Sequence, residues 1–140
     1  LSGDAVGWDW FSLQLDNGAV LMFAQIRSQT GISQTIFEGT LVAPDATQRT
    51  ISPADFTLTP TGQWTSPRSA ATYPSGWTVT FPELAIDLTL TPLISDQEMD
   101  VAFTYWEGDV NATGTYNGAP VTGRGYVELT GYAGDSGYQR

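Results

Sequence analysis

Two glutamates lie among large aromatic residues in stretches that otherwise read as β-strands. Glu107 follows Tyr105 and Trp106 in the run VAFTYWEGDV, and Glu128 lies two residues after Tyr126 in the run PVTGRGYVELTGYA. A carboxyl group that burial keeps neutral can donate a proton near neutral pH, and aromatic faces stabilise a nearby cation. These residue types favour acid-assisted chemistry on an apolar molecule, with Glu107 and Glu128 as candidate catalytic residues.

Period-two alternation sorts these side chains into rows. It places Tyr105 and Glu107 on one face of their strand and Trp106 on the opposite face, so one strand cannot aim all three at one ligand. The run WDWFSLQL likewise puts Trp8 and Trp10 on one face with polar residues. A solvated strand face seldom carries so many aromatic residues, so these rows are candidates for the wall of a ligand pocket.

A second interpretation of the rows stays open, because alternation alone does not say which face is inside. Trp and Tyr side chains could girdle the surface of the protein or an interface between domains. Glu107 and Glu128 would then be solvated or paired with Arg27 or Arg124. The two interpretations have about equal weight from periodicity alone.

Composition excludes several functional classes. The 140 residues include fifteen acids against five arginines and no lysine, for a net charge of −10, which disfavours nucleic acid and anionic membranes as partners. Histidine and cysteine are absent, so histidine triads, thiolate chemistry and histidine-based metal sites are excluded. We expect no metal and no cofactor; the acidic run SDQEMD fits a solvated loop better than a calcium site. No apolar run is long enough to span a membrane.

The elements that must position these residues are strands. Alternation of apolar and polar residues runs through almost the whole chain, and only SPADF suggests a helical turn. Asn17-Gly18 and Asn117-Gly118 each predict a hairpin with a type I′ turn, and Pro60 predicts an edge or a bend. About eight to ten strands in sequential hairpins fit a sandwich or an up-and-down barrel, and the hairpin order favours the antiparallel barrel. Such a barrel is filled by side chains or holds one small ligand.

Several long motifs occur in a fixed order along nearly the whole chain: GDAVGWDWFSLQLDNGAVLMFAQIR, DFTLTPTGQWTSPRSAATYPSGWTV, LTPLISDQE, YWEG and GRGYVELTGYA. In these motifs the chain resembles the C-terminal half of the AttH-like, or carotenoid 1,2-hydratase-like (hydroxyneurosporene synthase), family. The resemblance implies that residues 1–140 form a single lipocalin-like β-barrel, normally the second of two. Members of the family include predicted secreted hydrolases, carotenoid hydratases that add water to an isoprenoid double bond, and fungal relatives that promote cyclisation of polyketides.

The resemblance also implies partners and a site. We expect an apolar isoprenoid- or polyketide-like ligand, an N-terminal barrel of the same protein as partner, and a secreted or periplasmic location. Family members carry a DHQW or DHEW motif just before the segment that matches LSGDAVGWDWF, so catalysis is expected to need a part outside this sequence. The residues that would form the ligand-binding or interface wall are Trp8, Trp10, Gln14, Gln25, Tyr105, Trp106, Glu107, Tyr126 and Glu128.

Two other functional classes remain as alternatives. The chain could be a non-catalytic ligand-binding or structural module whose aromatic residues pack against a partner barrel. It could also be a complete secreted hydrolase, which is the weakest reading because the sequence shows no nucleophile with a base. Ser66 and Ser69 in the run SPRS have no histidine to activate them.

Overall fold

The fold consists, in the described part of the chain, of thirteen antiparallel strands. The computed structural model describes residues 5–29, 31–33 and 38–133. Its helical segments in that part of the chain are two 3₁₀ turns, Pro53–Asp55 and Pro82–Leu84, and no helix there is long and apolar enough to cross a membrane. The strands are β1 Ala5–Leu15, β2 Val20–Ser28, β3 Gly31–Ser33, β4 Gly39–Val42, β5 Gln48–Ile51, β6 Thr57–Pro60, β7 Gln63–Thr65, β8 Thr72–Pro74, β9 Trp77–Phe81, β10 Ile86–Pro92, β11 Glu98–Asp100, β12 Thr104–Tyr116 and β13 Ala119–Leu129.

Most of the strands join one sheet. Its order is β5-β4-β2-β1-β13-β12-β10-β9-β6, with β11 paired to β12 and β3 to β2, while β7 and β8 form a separate hairpin. The sheet curls strongly into a half-barrel. The prediction of an all-β, lipocalin-like fold of about eight to ten antiparallel strands is confirmed. Because β1 pairs with β13, the first and last of these strands are neighbours in the middle of the sheet.

The two hairpins that the sequence predicted both form, but their turns differ. Asn117 and Gly118 both have positive φ, at 51° and 83°, as a type I′ turn requires. At the β1–β2 turn only Gly18 is left-handed, with φ 93°, and its N–H donates to the carbonyl of Leu15. The type I′ prediction is wrong for Asn17-Gly18, because this loop has three residues and needs positive φ only at its last position.

The prolines act as the sequence predicted. β6 ends at Pro60 and is the edge strand of the main sheet, where a residue without an N–H removes no ladder hydrogen bond. The SPADF segment forms the 3₁₀ turn Pro53–Asp55, and the Asp55 carboxylate accepts a hydrogen bond from the N–H of Ser52 at 2.7 Å. This turn connects β5 to β6, the two ends of the sheet.

Aromatic side chains fill the inner face of the curled sheet. Phe11 of β1 stacks on Phe23 of β2, with ring centroids 4.9 Å apart, and meets Trp77 of β9 edge-on at 5.3 Å. Trp77 in turn contacts Trp106 of β12, with centroids 6.5 Å apart. All four side chains are buried. The inner face is therefore a packed core, and the strands present their alternate residues on the outer face.

Candidate functional site

The two candidate catalytic glutamates lie next to each other on the outer face. β1, β13 and β12 are neighbours in the sheet, and their register places Trp10, Glu128 and Glu107 in one row across the three strands. Directly opposite residues of antiparallel strands have Cβ atoms about 5 Å apart. The fold thus brings together two carboxylates that are twenty-one positions apart in the sequence.

Each glutamate is held by an aromatic side chain. The indole Nε1 of Trp8 donates to Oε1 of Glu128 at 2.6 Å, and the hydroxyl of Tyr105 donates to Oε1 of Glu107 at 3.0 Å. Both carboxylates are half-buried. They are therefore neither enclosed in the core nor fully solvated, and each keeps lone pairs that a ligand could use.

Arginine does not neutralise this pair. Within the part of the chain that the structure describes, neither Glu107 nor Glu128 has an arginine nitrogen within 4 Å. Arg27 bonds to Asp9 instead, and Arg124 lies on β13 opposite Gln14. The glutamates thus meet aromatic donors where the sequence had offered arginine as a partner.

The nearby tyrosines are protonated hydrogen-bond donors. Partial burial raises the pKa of Tyr105, and the hydrogen bond to Glu107 and the charges of both glutamates raise it further. Burial likewise raises the pKa of Tyr126, again with a contribution from the charges of Glu107, Asp109 and Glu128. Each phenol therefore feels the negative charge of both glutamates, which places all four groups within electrostatic reach of one another.

The outer wall, as we call this face, contains most of the residues that the sequence singled out. Tyr126, which is 41% exposed, lies beside the two glutamates and opposite Ser12. Gln14 is exposed and lies two rows further along the same face of β1 than Trp10. We define the outer wall as those residues, among the ones that the sequence singled out, that share this face of β1, β13 and β12. They are Trp8, Trp10, Gln14, Tyr105, Glu107, Tyr126 and Glu128.

Two of the candidate ligand-binding residues lie elsewhere. Trp106 is 1% exposed in the core, and its Nε1 donates to the carbonyl of Ser95 at 2.8 Å. This is the separation from Tyr105 that alternation predicted. Gln25 lies on the core side of β2, near the end of that strand. Its Nε2 donates to Oδ2 of Asp9 at 2.8 Å. Neither side chain is part of the outer wall.

Beside Gln25 lies a buried aspartate, Asp9, that the sequence analysis missed. Asp9 is 3% exposed; its Oδ1 accepts hydrogen bonds from the hydroxyl of Tyr132 at 2.8 Å and from Nε of Arg27 at 3.3 Å. The Arg27 guanidinium also lies 3.8 Å from the Tyr132 ring centroid. Burial raises the pKa of Tyr132. The available signal was position, since Asp9 shares the apolar face of β1 with Phe11.

A second missed carboxylate ties the β7–β8 hairpin to β11. The Glu98 side chain is 2% exposed and accepts hydrogen bonds from the hydroxyls of Ser66, Ser69 and Tyr73 at 2.6, 2.6 and 2.7 Å. Burial opposes ionisation, but these hydrogen bonds and Arg68 outweigh it and lower the pKa of Glu98. A carboxylate stabilised as an anion in this way is a weak base, so the serines of the SPRS run gain no catalytic partner.

Metal ligation has no support in the described residues, among which no three acidic side chains are close enough together to hold a metal ion. Asp96 and Glu98 of the SDQEMD run bind Arg68 instead, with Arg68 nitrogens 2.7 and 3.3 Å from their carboxylate oxygens. Four residues of the run, Ser95, Asp96, Met99 and Asp100, are exposed, as expected for a solvated loop, whereas the Glu98 side chain is buried and residues 98–100 form β11.

Comparison with known proteins identifies the family to which this chain belongs. The chain is similar to an AttH protein from Nitrosomonas europaea, with 38% sequence identity and a TM-score of 0.80, over 94% of this chain and 40% of that one. It is also similar to kievitone hydratase from Nectria haematococca over 89% of this chain and 39% of that one. At 20% identity and a TM-score of 0.72, this second likeness shows the fold alone. No curated protein matches significantly. The chain spans about two fifths of the length of both relatives. Residues 1–132 match the model of the AttH-like family, and the chain belongs to that family.

Proposed function

We propose that this chain is a lipocalin-like domain that provides one wall of a binding site for an apolar, isoprenoid- or polyketide-like molecule. In this proposal Glu107 and Glu128 assist hydration, isomerisation or cyclisation of that molecule by proton transfer. Membership of the AttH-like family supports the reaction class, because one solved relative of the same fold is named a hydratase. The remaining part of the site would come from an N-terminal barrel of the same protein.

One observation carries the proposal, namely the pair of adjacent glutamates on the aromatic outer wall. Two like charges directly opposite each other on neighbouring strands destabilise a sheet, and here no arginine of the described residues relieves them. Proteins keep such an arrangement where a proton or a ligand relieves it. An apolar ligand that covers the wall would remove water from both carboxyl groups, and desolvation disfavours the charged form of a carboxyl group.

The packed inner face supports an outer or interfacial site. Phe11, Phe23, Trp77 and Trp106 occupy the space where a lipocalin-like barrel could otherwise hold a ligand. A ligand of this domain would therefore lie against the outer wall. Since both solved relatives are more than twice as long as this chain, the rest of such a protein offers enough residues to cover that wall.

The chemistry follows from the positions of the groups. One glutamate donates its proton to an alkene carbon, and the positive charge that results on the neighbouring carbon faces Trp8, Trp10 or Tyr126. The other glutamate, as a carboxylate, takes a proton from the water that adds to this carbon. The net change is the addition of one water across the double bond, with one proton moved from one glutamate to the other.

The test uses the full-length protein and geraniol as an acyclic isoprenoid alkene, with incorporation of oxygen from ¹⁸O-labelled water measured by mass spectrometry. General acid–base residues contribute roughly 10²- to 10⁴-fold to rate, so Glu107→Gln and Glu128→Gln should each lower kcat by at least about 100-fold. Asp109→Asn is the matched control, because Asp109 is an exposed acid on the same face of β12. Wild-type turnover in both glutamine variants would refute the catalytic role.

A non-catalytic binding or docking role is the second candidate. It is favoured by the hydrogen bonds from Trp8 and Tyr105, which already satisfy part of each carboxylate without any ligand. In that case, geraniol would quench the fluorescence of Trp8 and Trp10 in the full-length protein, but no hydrated product would form. Loss of binding in a Trp10→Ala variant, with no turnover in the wild type, would select this role.

A further inference from the structure

A concave surface lies on the outer face of the sheet, away from the outer wall. It is a groove of about 310 Å³ over β9, β10 and β12. That volume is at the lower end of the range for small-molecule sites, and it suits a ligand of one or two rings. Leu88 and Gly114 also line it, and its five polar side chains are Thr78, Thr80, Asp87, Thr89 and Thr115.

The register arranges these side chains as a regular grid. Thr80, Asp87 and Thr115 lie in one row across the three strands, with neighbours about 4.8 Å apart. Thr78 and Thr89 form the next row, displaced by two residues, which is about 7 Å along the strands. The Asp87 carboxylate is therefore central, with a hydroxyl on either side and others one row away.

These polar groups have no partner within the protein. In the described part of the chain, the side chains of Thr78, Thr80, Asp87, Thr89 and Thr115 make no hydrogen bond and no ion pair. Other threonine hydroxyls of the same protein do find partners, and the backbone groups beneath the grid are used by the strand ladder. The groove thus offers four unused hydroxyls and one unused carboxylate. The hydroxyls that do find partners among the described residues belong to Thr47, Thr65, Thr72, Thr104, Thr122 and Thr130.

The chemistry of the lining selects a class of ligand. Asp87 only accepts hydrogen bonds, while each threonine hydroxyl both donates and accepts, so the ligand must bring donors to the centre and mixed groups to the sides. An anion would meet a carboxylate and no cation in the lining, in a protein of net charge −10. A purely apolar molecule would leave the carboxylate buried without a hydrogen bond, which costs free energy.

We propose that this groove binds a neutral saccharide of one or two rings. Two neighbouring sugar hydroxyls donate to the two oxygens of Asp87, and further hydroxyls exchange hydrogen bonds with Thr80 and Thr115. The threonine γ-methyl groups contact the C–H face of the sugar ring. The groove is separate from the outer wall, although both include β12, because Thr115 lies eight residues along that strand from Glu107, which is about 26 Å.

The experiment titrates the intact protein with D-glucose, maltose and cellobiose and observes saturation-transfer difference NMR. Asp87→Asn keeps the shape of the side chain and should raise the Kd of the best sugar by about tenfold, since hydrogen bonds to a charged group are stronger than those between neutral groups. Thr80→Val removes one hydroxyl and should weaken it several-fold. Thr50→Val is the matched control, because Thr50 is an exposed strand threonine on β5, outside the groove and its three strands.

Each outcome decides the proposal. Binding of a neutral sugar that Asp87→Asn weakens and Thr50→Val leaves unchanged supports it, as does weaker binding of glucose 6-phosphate than of glucose. No saturation transfer from any of the three sugars at tens of millimolar overturns it. So does sugar binding that Asp87→Asn and Thr80→Val do not affect, or a preference for tetramethylammonium, which would indicate attraction of a cation by the carboxylate alone. Circular dichroism confirms that each variant is folded.

Discussion

Replacing Glu98 by glutamine tests a buried carboxylate that accepts hydrogen bonds from three hydroxyl groups. The carboxylate accepts from Ser66 at one oxygen and from Ser69 and Tyr73 at the other, all within 2.7 Å. Glutamine has the same shape but only one acceptor oxygen, and its NH₂ group faces hydroxyls that were donors. The Glu98→Gln variant therefore loses one or two hydrogen bonds to a charged group and must reorient the rest.

The magnitude follows from the number of bonds lost. A hydrogen bond to a charged group contributes about 1.5–3 kcal/mol, and a serine hydroxyl can rotate to accept from the new NH₂ group, which recovers part of the loss. We expect the free energy of unfolding to fall by about 3 kcal/mol, or Tm to fall by about 10 °C for a chain of this size. Urea denaturation followed by tryptophan fluorescence at pH 7 measures it.

The pH dependence gives the same experiment a second readout. The pKa of Glu98 is lowered in the folded protein, so its stabilisation is fully present above the ordinary glutamate pKa of about 4.3 and is lost as pH falls through the lower folded value. The difference between wild type and Glu98→Gln should therefore shrink below about pH 4. Glu83→Gln is the control, since Glu83 is exposed in the Pro82–Leu84 turn.

Two results would refute this reasoning. A Glu98→Gln variant within about 0.5 kcal/mol of wild type at pH 7, the range of ordinary surface changes, would show that the three hydroxyls do not depend on the charge. A stability difference that stays constant from pH 7 to pH 3 would show that the ionised form of Glu98 is not what they stabilise.

Three further changes test other parts of the fold, each by urea denaturation. Glu107→Gln removes one of two facing like charges and should raise the free energy of unfolding by about 0.5 kcal/mol; a clear loss would show that Glu128 and its neighbour do not repel. Asp9→Asn leaves Arg27 without its carboxylate in a nearly buried setting and should cost about 3 kcal/mol, and a neutral result would indicate that the pair is solvated. Gly39→Ala places a Cβ 2.1 Å from a backbone carbonyl of β2 and should cost more than about 2 kcal/mol, whereas an unchanged stability would mean that β2 and β4 can separate at that point.

Local pattern predicted the fold and part of the site. Alternation identified the strands and separated Trp106 from Tyr105, because a strand has a fixed period of two. It could not identify the inner face, since β1 carries aromatic residues on both sides, with Phe11 on one and Trp10 on the other. Which face is buried depends on how the neighbouring strands pack against β1, and the sequence of β1 alone does not contain that information.

The buried carboxylates were missed for a different reason. Asp9 bonds to Tyr132 across 123 positions, and Glu98 bonds to Ser66 across 32. Partners at such distances in the sequence are set by the topology, and neither pair has a motif of its own. An acid at an apolar-face position, as Asp9 is, was the one local indication that a distant partner must exist, because an unpaired buried charge is too costly to keep.

The structure separates its acids into two kinds, and the difference bears on function. The side chains of Asp9 and Glu98 are almost fully buried, and each accepts hydrogen bonds from at least three side chains, so both acids hold neighbouring segments together. Glu107 and Glu128 are half-buried, face each other, and have one aromatic donor each. A carboxylate with few donors and a like charge beside it is the kind that gains or shares a proton when water is removed. The acids with the most contacts are therefore structural, and the less satisfied pair on the outer wall is the better candidate for chemistry.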